Sequence, residues 1–193
     1  MNKWAIAMMM GTLLGSAAEA GEYTGNFNGS LGNKSLDDKD WQDVDSQGTI
    51  GFIADFKKDS WPVSLSIDAF ISAGDDVSSD ELDLDFPEVD ASTSGIHLGV
   101  RKIWNLEQYT FSPYIGGGLA FVNGSQERMV GGETKDESDT ATGVWLGAGV
   151  YWRPYESLNL GLDIRYSQAD VTLFEEDVNA GGFQTGIFVG YSF

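Results

Sequence analysis

The feature that most constrains this chain is an alternation of apolar with small or polar residues that recurs in eight segments and continues to the last residue. In the closing stretch GGFQTGIFVGYSF, residues 181–193, Phe183, Thr185, Ile187, Val189, Tyr191 and Phe193 share one face. Gln184, Gly186, Phe188, Gly190 and Ser192 share the other. A period of two is the mark of a strand, because successive side chains of extended backbone point to opposite sides. Seven further segments carry it, at about 22–31, 47–56, 63–72, 93–102, 109–122, 140–152 and 158–168. No stretch after residue 20 shows a convincing 3.6-residue period, so the chain is read as all-β.

One face of each segment is almost wholly apolar: Ile50, Phe52, Ala54 and Phe56; Val63, Leu65, Ile67, Ala69 and Ile71; Ile96, Leu98 and Val100; Val144, Leu146, Ala148, Val150 and Trp152; Leu158, Leu160, Leu162, Ile164 and Tyr166. The opposite faces carry glycines with Ser64, Ser66, Asp68, His97, Arg101, Asn159, Asp163 and Arg165. This pattern fits a soluble sandwich with its apolar face inside or a membrane barrel with its apolar face against lipid. Connection length separates the two. The connections at 32–46, 73–92, 123–139 and 169–181 are long, and those at 57–62, 103–108 and 153–157 are short. Long loops on one rim, short turns on the other and an even strand count are the plan of an outer-membrane barrel. Trp61, Trp104, Tyr109, Trp152 and Tyr155 fall at the short-turn ends, where an aromatic girdle would meet the membrane interface.

The opening MNKWAIAMMMGTLLGSAAEA combines Lys3, an apolar run from Ala5 to Leu14, and Ala18 and Ala20 around Glu19. It reads as a secretory signal peptide, with an apolar run too short for a membrane helix. Residues 1–20 are therefore set aside, and residues 21–193 are expected to form one barrel domain. There is no cysteine, which excludes disulfides and thiolate chemistry, and the formal charge of −19 argues against a nucleic-acid partner.

On these residues the chain resembles the OmpA/OmpX-type and opacity-protein-type eight-stranded barrels. GGFQTGIFVGYSF is similar to their closing strand, and YTFSPYIGGGLAFV, residues 109–122, is similar to their fifth strand. The resemblance implies an eight-stranded antiparallel transmembrane up-and-down β-barrel in the bacterial outer membrane, bathed in outer-membrane lipid and lipopolysaccharide. It also implies that Tyr191 and Phe193 belong to the signal read by the barrel-assembly machinery. Pro113 departs from a regular strand and is expected at a bulge or near the strand start, since proline donates no ladder hydrogen bond.

Asp55, Asp68, Arg101, Asp163 and Arg165 are expected to face inward, with His97 beside them. The lumen of an eight-stranded barrel is just wide enough to be filled by side chains. Isolated charges there are costly, so an ion-pair plug is expected, with a proton path or gated channel as the alternative. Some barrels of this kind modify lipid A from a lipid-facing His-x-Ser pair, but His97 is followed by Leu98 and Gly99 and falls on the lumenal side. No catalytic residue and no cofactor-binding residue is identified.

The four long connections hold 22 of the 30 acidic residues, against Lys34, Lys39, Arg128 and Lys135. Their bland reading is a solvated surface. Carboxylate oxygens also suit hard divalent cations, although no EF-hand spacing is present, and the metal question stays open. In DELDLDF, Leu82, Leu84 and Phe86 alternate with acids, which suggests a hairpin continuing above the membrane with an edge able to recruit a surface protein partner. The expected role is non-catalytic, in envelope structure or surface interaction. A narrow channel or transporter for small or hydrophobic molecules is the alternative, and a lipid A-modifying enzyme the third.

Overall fold

The alternating segments become strands whose two faces meet different surroundings. The computed structural model describes residues 23–37, 41, 45–74, 91–106, 110–130, 133–155, 157–173 and 176–193. Its strands are β1 (Tyr23–Ser35), β2 (Ser46–Lys58), β3 (Ser64–Gly74), β4 (Ala91–Ile103), β5 (Phe111–Val130), β6 (Glu133–Tyr155), β7 (Leu158–Gln168), β8 (Asp170–Leu173), β9 (Glu176–Asn179) and β10 (Gly182–Ser192). Eight of them form a closed barrel in the order β1-β10-β7-β6-β5-β4-β3-β2, and β8 and β9 form a separate hairpin. Every described pairing is antiparallel.

Closure is made by the first and last strands. Phe27 faces Tyr191, Leu31 faces Ile187 and Ser35 faces Phe183 across the β1–β10 seam. Past the end of β10, Gly25 N donates to Phe193 O at 2.9 Å and Phe193 N donates to Gly25 O at 3.0 Å. The terminal residue is thus part of the ladder, and the seam leaves no unpaired edge within the hydrocarbon.

Leu31, Ile50, Ile71, Leu162 and Ile187 all point outward, each about 60% exposed. Adjacent pairs in the ladder align them into a belt: Ile71 with Ile50, Ile50 with Leu31, Leu31 with Ile187, and Ile187 with Leu162. An apolar surface this continuous is a liability in water and is at home in lipid, which disposes of the sandwich alternative. Trp61, Trp104, Trp152 and Tyr155 are also exposed, at the short-turn rim as expected; Tyr109 lies outside the described residues.

Inward, several large rings fit because the residue across the strand pair has no side chain. Phe70 faces Gly51 and Phe188 faces Gly161. A Cβ on Gly161 would sit 2.2 Å from Phe188 Cζ, so the ring occupies the space a side chain would take.

Some expected boundaries are corrected. The segment 123–139, read as a loop, is mostly strand: β5 and β6 stay paired up to Val130 and Glu133. Pairing of β4 with β5 ends at Ala91 and Gln126, and of β6 with β7 at Val144 and Gln168, so the β5–β6 hairpin projects beyond its neighbours. Its sequence hides this because a ribbon standing in water needs no apolar face. The segment 169–181 holds the β8–β9 hairpin, and β1 continues through Lys34 to Ser35, into the connection expected at 32–46. Pro113 sits near the start of β5, preceding the first β4–β5 pair, Ile103 with Tyr114, and its carbonyl accepts from Trp104 N at 3.0 Å. The register irregularity falls instead between Trp152 and Tyr155. The DELDLDF segment and residues 1–20 lie outside the described residues.

Leu162→Arg is expected to destabilise the barrel by about 2–4 kcal/mol, the cost of a lipid-facing arginine near mid-bilayer. The outward-facing Asn33→Arg, on a polar stretch of β1, should cost far less. Denaturant titration of both variants in lipid vesicles measures the difference.

Candidate functional site: the lumen and its cap

The inward side chains form three layers. Nearest the short-turn rim, Asn159 Nδ2 donates to Asn26 Oδ1 at 3.0 Å and to Asn28 Oδ1 at 3.1 Å. Arg153 donates through Nε to Asn159 Oδ1 and through Nη2 to Asn26 Oδ1, with its guanidinium 5.0 Å from the centre of the Tyr151 ring. Below this layer a cavity of about 360 Å³, lined among others by Asp55, Lys57, Asn105 and Arg153, opens at the rim.

The middle layer is the ion network. Arg101 bridges Asp55 and Asp68 at 2.9 Å each. Arg165 bridges Asp68 at 3.0 Å and Asp163 at 2.8 Å. Tyr151 donates its hydroxyl proton to Asp55 at 2.8 Å, Asn26 donates to the other oxygen of Asp55 at 2.8 Å, and Tyr114 donates to Asp163. The network draws on seven of the eight barrel strands, β1 through β7. Its arginines also lie over rings, Arg101 over Tyr114 at 4.8 Å and Arg165 over Phe70 at 4.3 Å. His97 stacks on Trp145 with ring centres 5.6 Å apart, and its Nδ1 lies 3.2 Å from Arg165 Nη1.

The five charges singled out in the sequence are therefore brought together, with His97 at their edge, and all six are buried. The side chains that complete the network were missed. Trp145 and Tyr151 share the parity of Gly143, Gly147 and Gly149, so their lumenal position was readable; Arg153 and Lys34 were hidden by the connections assigned to them. The lumenal His97 departs from the lipid-facing arrangement of the lipid A enzymes. Among the described residues no group of three or more His, Asp or Glu side chains converges to hold a metal.

The third layer closes the long-loop end. Lys34 Nζ donates to Thr93 Oγ1 at 2.8 Å and to Ala180 O at 2.7 Å. Above it Leu36, Trp41, Val171, Leu173, Val178 and Ala180 pack on Ala120, Val122 and Trp145 of the barrel wall. The β8–β9 hairpin supplies half of this cap, and loop residue Trp41 locks onto it by donating Nε1 to Asn179 O at 2.8 Å. Asp139 on the projecting part of β6 accepts from Thr172 N at 2.9 Å, and this backbone hydrogen bond holds its carboxyl below the usual range.

Chemically, such a lumen is a plug: each arginine is neutralised by two aspartates in place, and an apolar lid separates the network from the outer end. Arg101→Met would leave Asp55 and Asp68 short of a counter-charge in a buried site. Removing one partner of such a pair costs about 3–5 kcal/mol. Denaturant titration in detergent is expected to show a loss of that size, and Tyr151→Phe, which removes one hydrogen bond to a charged group, a smaller one.

A closed antiparallel barrel with an apolar outer belt, an aromatic rim and a packed polar lumen defines a transmembrane β-barrel protein. The chain belongs to the outer membrane protein beta-barrel domain family, whose model matches residues 5–193. It is accordingly an outer-membrane protein, its belt facing the lipid of that membrane. No curated protein is similar enough in sequence to count as a relative. Among solved structures it is similar to Neisserial surface protein A (15% identity, TM-score 0.54, covering 88% of this chain and 94% of that one). It is also similar to Ail, the attachment invasion locus protein of Yersinia pestis (13%, 0.54, 90% and 99%), and to the N-terminal barrel of Pseudomonas aeruginosa OprF (12%, 0.50, 87% and 97%). At such identities the likeness is one of fold.

Proposed function

We propose that this protein is a non-conducting, non-catalytic barrel that presents an acidic surface to the cell exterior and serves envelope structure and surface interaction. The observation that carries this reading is the doubly obstructed lumen, an ion network beneath an apolar cap. It speaks against the transporter alternative, which asks for a wide, uncharged passage. Against the enzymatic alternative stands the position of His97, whose ring is enclosed in the lumen, away from the lipid face.

The interacting face is the long-loop rim, where the acidic residues concentrate and the β5–β6 hairpin projects. Ail has been solved with the heparin analogue sucrose octasulfate, a polyanion. A rim this acidic suits the opposite kind of partner, a cationic protein segment, drawn by a field that salt screens over about 8–10 Å. In planar bilayers the purified protein is expected to give no conductance steps. In vesicles it should bind a cationic peptide in a salt-sensitive way, and less so after Glu137→Gln and Asp139→Asn. Steady single-channel conductance, or peptide binding unchanged by salt and by those substitutions, would defeat the proposal.

Residues 1–20 act in this reading as an export signal, and the closing strand as the mark recognised by the barrel-assembly machinery. Deleting Phe193 is expected to lower the fraction assembled in cells more than the fraction refolded in detergent, scored by heat-modifiable gel mobility. Equal losses would mean that Phe193 acts only as the closing pair of the ladder.

A further inference from the structure

Between the ion network and the cap lies a small cavity of about 10 Å³, walled by Lys34, Thr93, His97, Ser167 and Gln184 among others. That is room for a single small occupant on the scale of one water molecule. These five side chains are all buried.

The polar groups around this space share a character. Lys34 has three N–H donors; two go to neutral acceptors, Thr93 Oγ1 and Ala180 O, and among the described residues no carboxylate pairs with it. The aspartates of the middle layer are engaged by Arg101 and Arg165. A guanidinium only donates, so the contact of Arg165 with His97 Nδ1 makes that nitrogen the acceptor and places the ring proton on Nε2. Nε2 lies 3.8 Å from where a Cβ on Gly95 would stand, and Gly95 lines the same cavity. Ser167 and Gln184 present a hydroxyl and a primary amide to the same space, and both groups can donate. No carboxylate lines the space.

A buried ammonium without a paired carboxylate, a ring N–H, a hydroxyl and a primary amide around one-atom space make a site for a small anion. We propose that the cavity binds a single halide ion, chloride being the ordinary occupant, with Lys34 as counter-ion and His97, Ser167 and Gln184 as the other donors. A space on the scale of one water molecule suits a monatomic anion better than phosphate, sulfate or a carboxylate. Since Lys34 also donates to Ala180, which follows the β8–β9 hairpin, the ion sits under the cap and strengthens its attachment to β1.

The test is thermal unfolding of the full-length protein in detergent, in sodium chloride or bromide against sodium gluconate at constant ionic strength. The melting temperature should rise with halide and saturate. Gln184→Leu removes one hydrogen bond to the ion and should raise the half-saturating concentration about tenfold, and Lys34→Met should abolish the halide effect. If Lys34→Met does not fold, Gln184→Leu and Ser167→Ala carry the test. Crystals grown in bromide should show an anomalous peak within hydrogen-bonding distance of Lys34 Nζ. Superimposable halide and gluconate curves, wild-type dependence in the variants, or water in place of bromide would each overturn the proposal.

Discussion

Everything in this molecule depends on the requirement that no backbone N–H or C=O be left unpaired in hydrocarbon. Eight strands meet it only by joining the first to the last, and the β1–β10 seam runs from Ser35 and Phe183 down to Gly25 and Phe193. Once the sheet is closed, the strand period assigns alternate residues to lipid and to lumen with no freedom left. A one-residue slip at the seam would put Gln184 into lipid and Ile187 into the lumen.

Closure also creates the electrostatic problem that the lumen solves. Asp55, Asp68, Arg101, Asp163 and Arg165 are held away from water, where a lone charge is costly to bury. They persist by sharing partners: Asp68 accepts from both arginines, and tyrosine and asparagine side chains occupy further carboxylate oxygens. Since the partners come from different strands, the network also braces the barrel across its width. The rings of Phe70, Tyr114, Tyr151 and Phe188 fill the rest, three of them over the cross-strand glycines Gly51, Gly149 and Gly161.

At the outer end different rules apply, because water replaces lipid around the barrel. The β5–β6 ladder runs on there to Val130 and Glu133, and the β8–β9 hairpin turns Val171, Leu173 and Val178 onto the barrel wall. The result is an apolar cap joined to the wall through Asp139 and Lys34 and tied together by Trp41. The cap and the ion network thus lie one above the other in the same lumen.

The sequence by itself determined the strands that cross the membrane, the outward belt and the inward position of five charges and His97. These follow from a period of two under a uniform apolar selection, and such a signal is local. Only the tertiary structure decided what lies beyond lipid and which lumenal groups meet. The β5–β6 extension has no apolar face to announce it, and Lys34 and Arg153 look like loop residues until their strands are placed. Which tyrosine reaches which aspartate depends on the register and closure of the barrel. Pairs such as Tyr151 with Asp55, 96 residues apart, exist only after the seam has closed.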